Sequence, residues 1–241
     1  MNKQRLDIEL ARRGLTATRS QAESWIKLGK VTVNGLVVTK PGHTVSGEAV
    51  IKLLAEEQYV SRAGLKLESV ARILSLNFKD KTVLDVGSST GGFTDYALRN
   101  GAKKVIAVDV GTDQLHPSLR PDSRIELHEK TDIRDFTPGE APDIIVIDVS
   151  FISLREILPH LAREVCGKNT QIVAMVKPQF EAQRKQLGSS GVIKNDTVRR
   201  GILKDFEQWA KQYFVVVDKA DSDVHGARGN QERFYLLKMA K

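Results

Sequence analysis

The sequence predicts an α/β protein in which a doubly wound parallel sheet forms the main domain and a small α+β module precedes it. From residue 82 onward, short apolar runs rich in β-branched residues alternate with helical patterns, as in a parallel sheet covered on both faces. Before residue 55, two short helical patterns precede a hairpin signal. The length of 241 residues fits one medium domain and a small module.

The predicted strands of the main sheet lack polar–apolar alternation because both of their faces are expected to be buried. They are residues 82–87, 104–110, 143–149, 171–176, 214–217 and 232–239. The predicted helices between them are residues 92–100, 153–165 and 196–212. In such a sheet, ligands bind at the carboxyl ends of the strands.

The small module is predicted from capping and turn residues. A first helix covers residues 5–14, and a second covers 18–29 with a capping box that begins at Ser20; each ends at a glycine. Asn34-Gly35 then lies between valine-rich runs, which is a strong signal for a tight hairpin. The predicted order is therefore helix, helix, hairpin and a short strand near residues 50–54.

The positive charge of the chain is concentrated in this module. The whole chain has 37 Lys and Arg against 30 Asp and Glu, and residues 1–54 hold nine against four, a net of 9 − 4 = +5. A basic module beside a nearly neutral body suggests a polyanion-binding unit, although a solvated basic surface is the alternative interpretation. The expected phosphate contacts are Arg5, Arg12, Arg13, Arg19, Lys27 and Lys30.

Composition excludes several other classes. No apolar run approaches the roughly 18 residues of a spanning helix, and the first residues contain no apolar secretory segment. The single Cys166 excludes an intramolecular disulfide framework and a multi-cysteine zinc site, and the five histidines show no metal-ligand spacing. We expect a soluble, cytoplasmic protein without a metal, and nothing in the sequence demands more than a monomer.

A glycine-rich turn follows the first predicted strand, where the sequence from Asp85 reads Asp-Val-Gly-Ser-Ser-Thr-Gly-Gly-Phe. Glycines let the backbone approach a ligand, and the helix that follows presents free N–H groups. Asp109, at the end of the second strand, is placed to accept hydrogen bonds from a ribose diol. The middle glycine of a dinucleotide fingerprint is replaced by Ser89, and Asp85 suits a cationic ligand. S-adenosylmethionine is therefore favoured over NAD.

Asp132 lies beyond a third strand, in the segment Glu129-Lys-Thr-Asp132. Two interpretations are open: its carboxylate contacts the adenine amino group of a cofactor, or it caps the following helix.

Four charged residues lie near the ends of predicted elements. Asp148 lies at the end of the strand predicted at 143–149, Lys177 directly follows the strand at 171–176, Glu232 opens the strand at 232–239, and Lys66 precedes the sheet. An ionised lysine at such a position needs a partner, and Asp148 lies on a neighbouring strand end. A structural ion pair is the alternative interpretation. A lysine with a depressed pKa can take the proton of a ribose 2′-hydroxyl, while a second lysine steadies the alkoxide.

The module resembles the S4 RNA-binding domain over residues 3–52, and the four charged residues match the Lys-Asp-Lys-Glu tetrad of the FtsJ/RrmJ-type RNA 2′-O-methyltransferases. The whole chain resembles the TlyA family, in which these two parts are fused. The motifs that carry this resemblance are V-S-R-x-G-x-K-L, D-V-G-S-S-T-G-G-F-T, D-V-S-F-I-S-L and V-K-P-Q-F-E.

The resemblance implies a class I methyltransferase with a Rossmann-like sheet, which uses S-adenosylmethionine to methylate cytidine 2′-hydroxyls in ribosomal RNA of the large and, in some members, the small subunit. It implies a tetrad of Lys66, Asp148, Lys177 and Glu232. The expected cofactor contacts are Asp85, Gly87, Ser88, Ser89, Thr90, Gly91, Gly92, Phe93, Asp109, Asp132 and Asp148. The expected domains are residues 1–54 and 61–241, with a linker at 55–60 that couples RNA capture to the site or acts as a plain spacer.

Three further basic residues are candidate RNA contacts. Arg62 lies at the junction of module and body. Two roles are equally open for it: it contacts RNA, or it stabilises the junction. Arg184 and Lys185 lie in a polar stretch rich in Gly and Ser, which fits a loop that clamps RNA or an inert loop.

Three other functions remain as alternatives: a non-catalytic RNA-binding or assembly factor, a membrane-active lytic protein suggested by the family's haemolysin label, and a small-molecule O-methyltransferase.

Overall fold

The chain divides into two compact units, Met1–Arg62 and Ala63–Lys241. The computed structural model describes residues 3–16, 19–27, 29–54, 59–184, 192–193, 195–224, 226 and 229–240, with the side chains of 20, 21 and 24 outside that description. The capping interpretation of Ser20, the RNA contact predicted for Lys185 and most of the proposed linker therefore fall outside the described residues. The predicted boundaries at residues 54 and 61 stay predictions.

The first unit contains two helices, a three-stranded sheet and a two-stranded ribbon. The helices are α1 (Leu6–Arg12) and α2 (Arg19–Lys27), and the strands are β1 (Gln4–Arg5), β2 (Val31–Val33), β3 (Leu36–Val37), β4 (Thr44–Val45) and β5 (Ile51–Leu53). The sheet order is β3-β2-β5, and β1 pairs with β4. Asn34 and Gly35 both have positive φ, which is what the predicted two-residue hairpin turn requires. The β1–β4 ribbon was not predicted, because two-residue strands carry no periodicity.

The second unit is built on a seven-stranded sheet. Its strands are β6 (Thr82–Val86), β7 (Lys104–Val108), β8 (Ile125–His128), β9 (Ile144–Ile147), β10 (Gln171–Val176), β11 (Phe214–Asp221) and β12 (Arg233–Met239). Its helices are α3 (Arg62–Ala71), α4 (Gly92–Arg99), α5 (Leu154–His160), α6 (Pro178–Glu181) and α7 (Asp196–Ala210), with a short 3₁₀ turn at Ile133–Asp135.

The strand order confirms the predicted doubly wound α/β fold. It runs β11-β12-β10-β9-β6-β7-β8, with β12 antiparallel to both of its neighbours and all other adjacent pairs parallel. The chain runs outward through β6, β7 and β8 on one side and from β9 through β10 to β11 on the other, and β12 then returns between β10 and β11. The order therefore reverses between β6 and β9. A ligand crevice forms at such a switch point, outside the carboxyl ends of the strands.

The core lies against the central strands. Val83, Ile145, Val173 and Leu237 are fully buried, as the continuous apolar runs of their strands require. Apolar side chains from α5 and α7 form one cluster with side chains on a face of the sheet, and its largest members include Phe206 of α7 and Tyr235 of β12. The patterns that predicted these strands therefore correspond to burial on both sides.

Three predictions about elements were incomplete or wrong. The predicted helix 153–165 is α5 followed by a π-helical turn at Leu161–Val165, since Pro159 lies inside the helix and has no N–H to donate. The helix α3, which carries Lys66, was not predicted. The strand β11 extends four residues beyond the predicted 214–217, with a bulge between Val216 and Asp218. In the described residues, no helix combines the length and apolar character that crossing a bilayer requires.

Candidate active site

The glycine turn after β6 is shaped by left-handed backbone at three positions. Gly87 has φ +78°, Ser89 +45° and Gly91 +93°. A Cβ on Gly87 would lie 2.7 Å from the carbonyl oxygen of Asp148, so no side chain fits between these two strand ends. A Cβ on Gly91 would lie 2.5 Å from a methyl carbon of Leu119. Glycines at 87 and 91 therefore let the turn pack tightly at the switch point.

Asp109 is tied to this turn by two backbone donors. Its carboxylate accepts hydrogen bonds from Ser89 N at 2.8 Å and Gly111 N at 2.7 Å. Each carboxylate oxygen has a second acceptor direction, so both can still bind a hydroxyl. The side chain of Gln114 accepts a hydrogen bond from the Ser89 hydroxyl at 3.0 Å. Gln114 was not predicted as a site residue, because it lies in an irregular loop.

A cavity of about 400 Å³ opens beside the turn. Its lining includes five of the predicted cofactor contacts, namely Gly87, Ser89, Asp109, Asp132 and Asp148. The same lining contains apolar groups such as Val108, Ile133 and Ile157, which suit the faces of a ring system. The other predicted contacts lie outside the cavity wall: Asp85, Ser88, Thr90, Gly91, Gly92 and Phe93.

Asp85 is almost fully buried beneath the turn. Its Oδ2 accepts a hydrogen bond from the Thr94 hydroxyl at 2.6 Å, whereas its Oδ1 has no hydrogen-bond partner among the described residues. Burial, with a smaller contribution from the nearby Asp148 charge, raises the pKa of Asp85 to about 7. Among the described residues, the buried hydroxyl of Ser88 likewise has no hydrogen-bond partner. Both residues lie outside the lining of the cavity.

Asp132 caps the turn that follows it, as one of its two interpretations requires, while its contact with adenine stays a prediction. Its carboxylate accepts a hydrogen bond from Arg134 N, so it caps the 3₁₀ turn, and it also lines the cavity. The Arg134 guanidinium holds the same carboxylate through Nε at 3.0 Å and through a second nitrogen at 2.7 Å. The Arg134 hydrogen bonds lower the pKa of Asp132, so the carboxylate presents an ionised acceptor at the cavity wall.

The four predicted tetrad residues form two ion pairs. Lys177 Nζ lies 2.6 Å from Asp148 Oδ1, and Lys66 Nζ lies 2.5 Å from Glu232 Oε2. Each lysine side chain is about 10% exposed.

The sheet explains why these residues lie at one edge. Asp148 and Lys177 directly follow β9 and β10, which run parallel. Glu232 directly precedes β12, which runs antiparallel to β10 with Arg233 paired to Val176. All three positions therefore fall at the carboxyl edge of the sheet, and α3 supplies Lys66 to the same edge through its pair with Glu232.

Ser150 and Phe151, which follow Asp148 closely in the chain, belong to this site and were not predicted from the sequence. Ser150 accepts a hydrogen bond from Lys177 Nζ at 2.8 Å and lines the cavity. Phe151, the next residue, is 92% exposed, has φ +67° and also lines the cavity. Its ring lies 5.4 Å from that of Phe180. The D-V-S-F segment contained both residues, but only tertiary structure shows what they contact.

The arginines of the first unit are largely engaged with two buried acids. Asp7 pairs with Arg5 and Arg19, and Glu9 pairs with Arg12 and Arg13. Hydrogen bonds from these arginines lower the pKa of each acid to about 2. Since the pairs are internal, the four predicted phosphate contacts also have a structural role.

Among these arginines, Arg13 also donates to the carbonyl oxygens of Gly47 and Ala49, so each of its three guanidinium nitrogens donates within the unit. Lys27, Lys30 and Arg184 have exposed side chains, and Arg62 is half-buried. In the described part of the chain, no group of three His, Cys, Asp or Glu could hold a metal ion.

Comparison with known families and proteins gives consistent matches over nearly the whole chain. The FtsJ-like methyltransferase family matches residues 59–239, and the S4 domain matches residues 4–51. The candidate rRNA methyltransferase YqxC of Bacillus subtilis is 42% identical over 98% of this chain and 85% of its own length. The 16S/23S rRNA (cytidine-2′-O)-methyltransferase TlyA of Mycobacterium tuberculosis is 38% identical over 97% of this chain and 89% of its own length.

A solved structure has a similar fold throughout. A candidate hemolysin from Streptococcus thermophilus superposes with a TM-score of 0.76 at 40% identity, covering 100% of this chain and 90% of that one. The extent of these matches, together with the sheet order and the glycine turn, establishes the family. The chain therefore belongs to the FtsJ-like methyltransferase family and carries an S4 domain ahead of the methyltransferase fold.

Proposed function

We propose that the protein transfers a methyl group from S-adenosylmethionine to the 2′-hydroxyl of cytidine in ribosomal RNA. The observation that carries the proposal is the pair of lysine–carboxylate contacts at the carboxyl edge of the sheet, one of which involves Asp148 in the wall of the cavity. The names of the relatives support the substrate class, since TlyA of Mycobacterium tuberculosis is named for cytidine 2′-O-methylation of 16S and 23S rRNA.

The cavity supplies groups that fit the cofactor. Asp109 is placed to accept hydrogen bonds from the ribose diol, and Asp132 from the adenine amino group. The apolar wall suits the adenine ring, and the negative charge of Asp148 suits a sulfonium centre. When bound, S-adenosylmethionine supplies an electrophilic methyl group whose leaving group departs neutral. Acid catalysis at the leaving group is therefore not required.

The chain's own task is to position the ribose hydroxyl and remove its proton. Lys177, whose ion-pair partner Asp148 lines the cavity, is the group that accepts this proton, in its neutral form. Lys66, held by Glu232, supplies a positive charge that stabilises the oxygen as it becomes negative. The two carboxylates orient the two amines, so that neither lysine has to be ordered during the reaction.

Phe151 fits the proposed substrate. An aromatic side chain that is 92% exposed at the rim of a cavity offers a surface on which a base can stack. A nucleotide inside folded RNA must leave its stack before its sugar can enter an enclosed site, and an aromatic platform offsets part of that cost. The left-handed backbone of Phe151 projects the ring outward at a local energetic cost, as functional sites often do.

The S4 domain is proposed to capture the ribosomal RNA. Its exposed lysines, including Lys27 and Lys30, meet phosphates without reading bases. A ribosomal substrate places the protein in the cytoplasm, and one chain supplies every residue of the proposed site, so a monomer suffices.

The test is methyl transfer from labelled S-adenosylmethionine to purified large and small ribosomal subunits, with the label mapped to ribose or base. Wild-type protein is expected to label a cytidine ribose. Lys177→Met is expected to lower the rate by about 10²–10⁴-fold, the usual contribution of a general base, without loss of cofactor binding. Lys168→Met, at an exposed position outside the site, is the matched control.

Three results would contradict the proposal: label on a base, label in protein alone, or a wild-type rate in Lys177→Met. RNA binding without any transfer would favour the non-catalytic assembly factor. Leakage of lipid vesicles without transfer would favour the lytic activity suggested by the hemolysin name.

A further inference from the structure

Ser150 is the one residue besides Asp148 that the described structure places in direct polar contact with the Lys177 amine. The distances are 2.8 Å from Lys177 Nζ to Ser150 Oγ and 2.6 Å from Nζ to Asp148 Oδ1. Ser150 is exposed and lines the cavity, whereas the lysine side chain is about 10% exposed. The hydroxyl therefore connects an enclosed amine to solvent.

The geometry points to Ser150 as a positioning residue that aims the Lys177 amine and carries away the proton that it accepts. This inference rests on the proposed function. One N–H of the Lys177 ammonium is directed to Ser150 Oγ, whereas Asp148 Oδ1 lies 2.6 Å from Nζ as an ion-pair partner outside hydrogen-bond geometry. The hydrogen bond to Ser150 therefore sets the direction of one N–H, which orients the rest of the amine toward the position of the ribose hydroxyl.

A hydroxyl suits this place better than a second carboxylate. A carboxylate that takes a proton from the ammonium loses its charge and the ion pair with it, whereas a hydroxyl can accept a proton while it releases its own. Ser150 can therefore relay a proton from Lys177 without a change in its own charge, and Asp148 cannot.

Every proton in the proposed step moves between the ribose hydroxyl, Lys177, Ser150 and water. The ribose O–H bond breaks and its proton forms an N–H bond on Lys177, while the oxygen electron pair bonds to the methyl carbon and the methyl–sulfur bond breaks. The ammonium then passes a proton to Ser150 Oγ as that hydroxyl releases its own proton to water. Lys177 returns to its neutral form, and Ser150 is unchanged.

The test compares Ser150→Ala, Ser150→Thr and, as a matched control, Ser123→Ala at an exposed serine away from the cavity. Because a hydrogen bond to a charged group is lost, Ser150→Ala should lower kcat about tenfold or more, with KM for RNA and affinity for the cofactor unchanged. The solvent deuterium isotope effect on kcat should rise, because proton release becomes slower. Ser150→Thr should restore most of the rate, and Ser123→Ala should match wild type.

The proposal is overturned if Ser150→Ala keeps the wild-type kcat and isotope effect, or if Ser150→Thr is as slow as Ser150→Ala. A change confined to KM or to cofactor affinity would also overturn it, since that would assign Ser150 to binding. Wild-type transfer to ribose is measured first, so failure of the proposed function is distinguished from failure of this inference.

Discussion

Asp85 shows how strongly burial changes the pKa of a single side chain. The chemistry of an aspartate in the sequence suggests an ionised group facing a cationic ligand. In the fold, Asp85 lies beneath the glycine turn, outside the cavity wall, and Thr94 is its hydrogen-bonding partner. Burial raises the pKa of Asp85 from 3.8 to about 7, so a large fraction of the folded molecules hold it neutral near pH 7.

Replacing Asp85 by Asn should change how stability depends on pH. A carboxyl whose pKa is raised by folding binds its proton more tightly in the folded state. Its contribution is therefore fully present below pH 3.8 and is lost as the pH rises through about 7. The wild type should lose at most about 4 kcal/mol of unfolding free energy relative to Asp85→Asn across this window.

Urea denaturation from pH 4 to pH 8 measures this difference, with Asp223→Asn, an exposed aspartate, as the control. Parallel stability curves for wild type and Asp85→Asn would show that the buried carboxyl is not protonated preferentially in the fold.

Among the elements, the turn between β6 and α4 and the start of β12 fix the proposed site. The turn is packed against the backbone of Asp148, which couples the cofactor side to the ion-pair side. The start of β12 is held by α7, because Arg199 Nε donates to the carbonyl of Gln231 at 3.0 Å and its guanidinium pairs with Asp221. Glu232 is therefore placed by a helix that contributes no residue to the proposed reaction.

Gly87→Ala should disrupt the turn. The added Cβ would lie 2.7 Å from a backbone oxygen, and the left-handed φ of +78° adds strain, so something must shift. We expect loss of stability of roughly 1–3 kcal/mol and at least tenfold weaker cofactor binding. Calorimetric titration with S-adenosylmethionine and thermal unfolding measure the two effects.

Gly139→Ala is the control, because a Cβ there meets nothing within 4 Å and the backbone is not left-handed. If Gly87→Ala bound the cofactor as tightly as Gly139→Ala, the close approach at Gly87 would not matter for the site.

At the scale of the whole molecule, the excess positive charge and the proposed reaction belong to different units. The net positive charge lies mostly in the first unit, and the proposed reaction lies in the second. Within the first unit, Asp7 and Glu9 neutralise much of the arginine charge internally. Exposed lysines therefore carry a larger share of its long-range attraction for RNA than the sequence count suggests.

The double substitution Lys27→Gln and Lys30→Gln should weaken RNA binding in a salt-dependent manner. Each lost phosphate contact should reduce the slope of log affinity against log salt by about 1. Filter binding to ribosomal RNA at several salt concentrations measures the slope. Lys204→Gln, an exposed lysine on α7, is the control. An unchanged slope would mean that these lysines do not contact phosphate. The affinity for the cofactor should stay the same in the double variant and in Lys204→Gln.

The sequence by itself determined the fold class, the glycine turn and two of the tetrad candidates, Asp148 and Lys177. These follow from local patterns: apolar runs that must be buried, glycines that precede a helix, and charged residues directly after buried strands. Lys66 and Glu232 were assigned to the tetrad by the family resemblance. Lys177 and Asp148 could be paired from sequence because parallel strands end at one edge of a sheet.

Only the tertiary structure decided which groups contact each other. It placed Asp85 behind the cavity, brought Ser150 to the Lys177 amine and exposed Phe151 at the rim. It also showed that Arg13 is engaged within the first unit. These outcomes depend on strand register, rotamers and the removal of water over long sequence separations, whereas periodicity and spacing report only a residue's immediate neighbours in the chain.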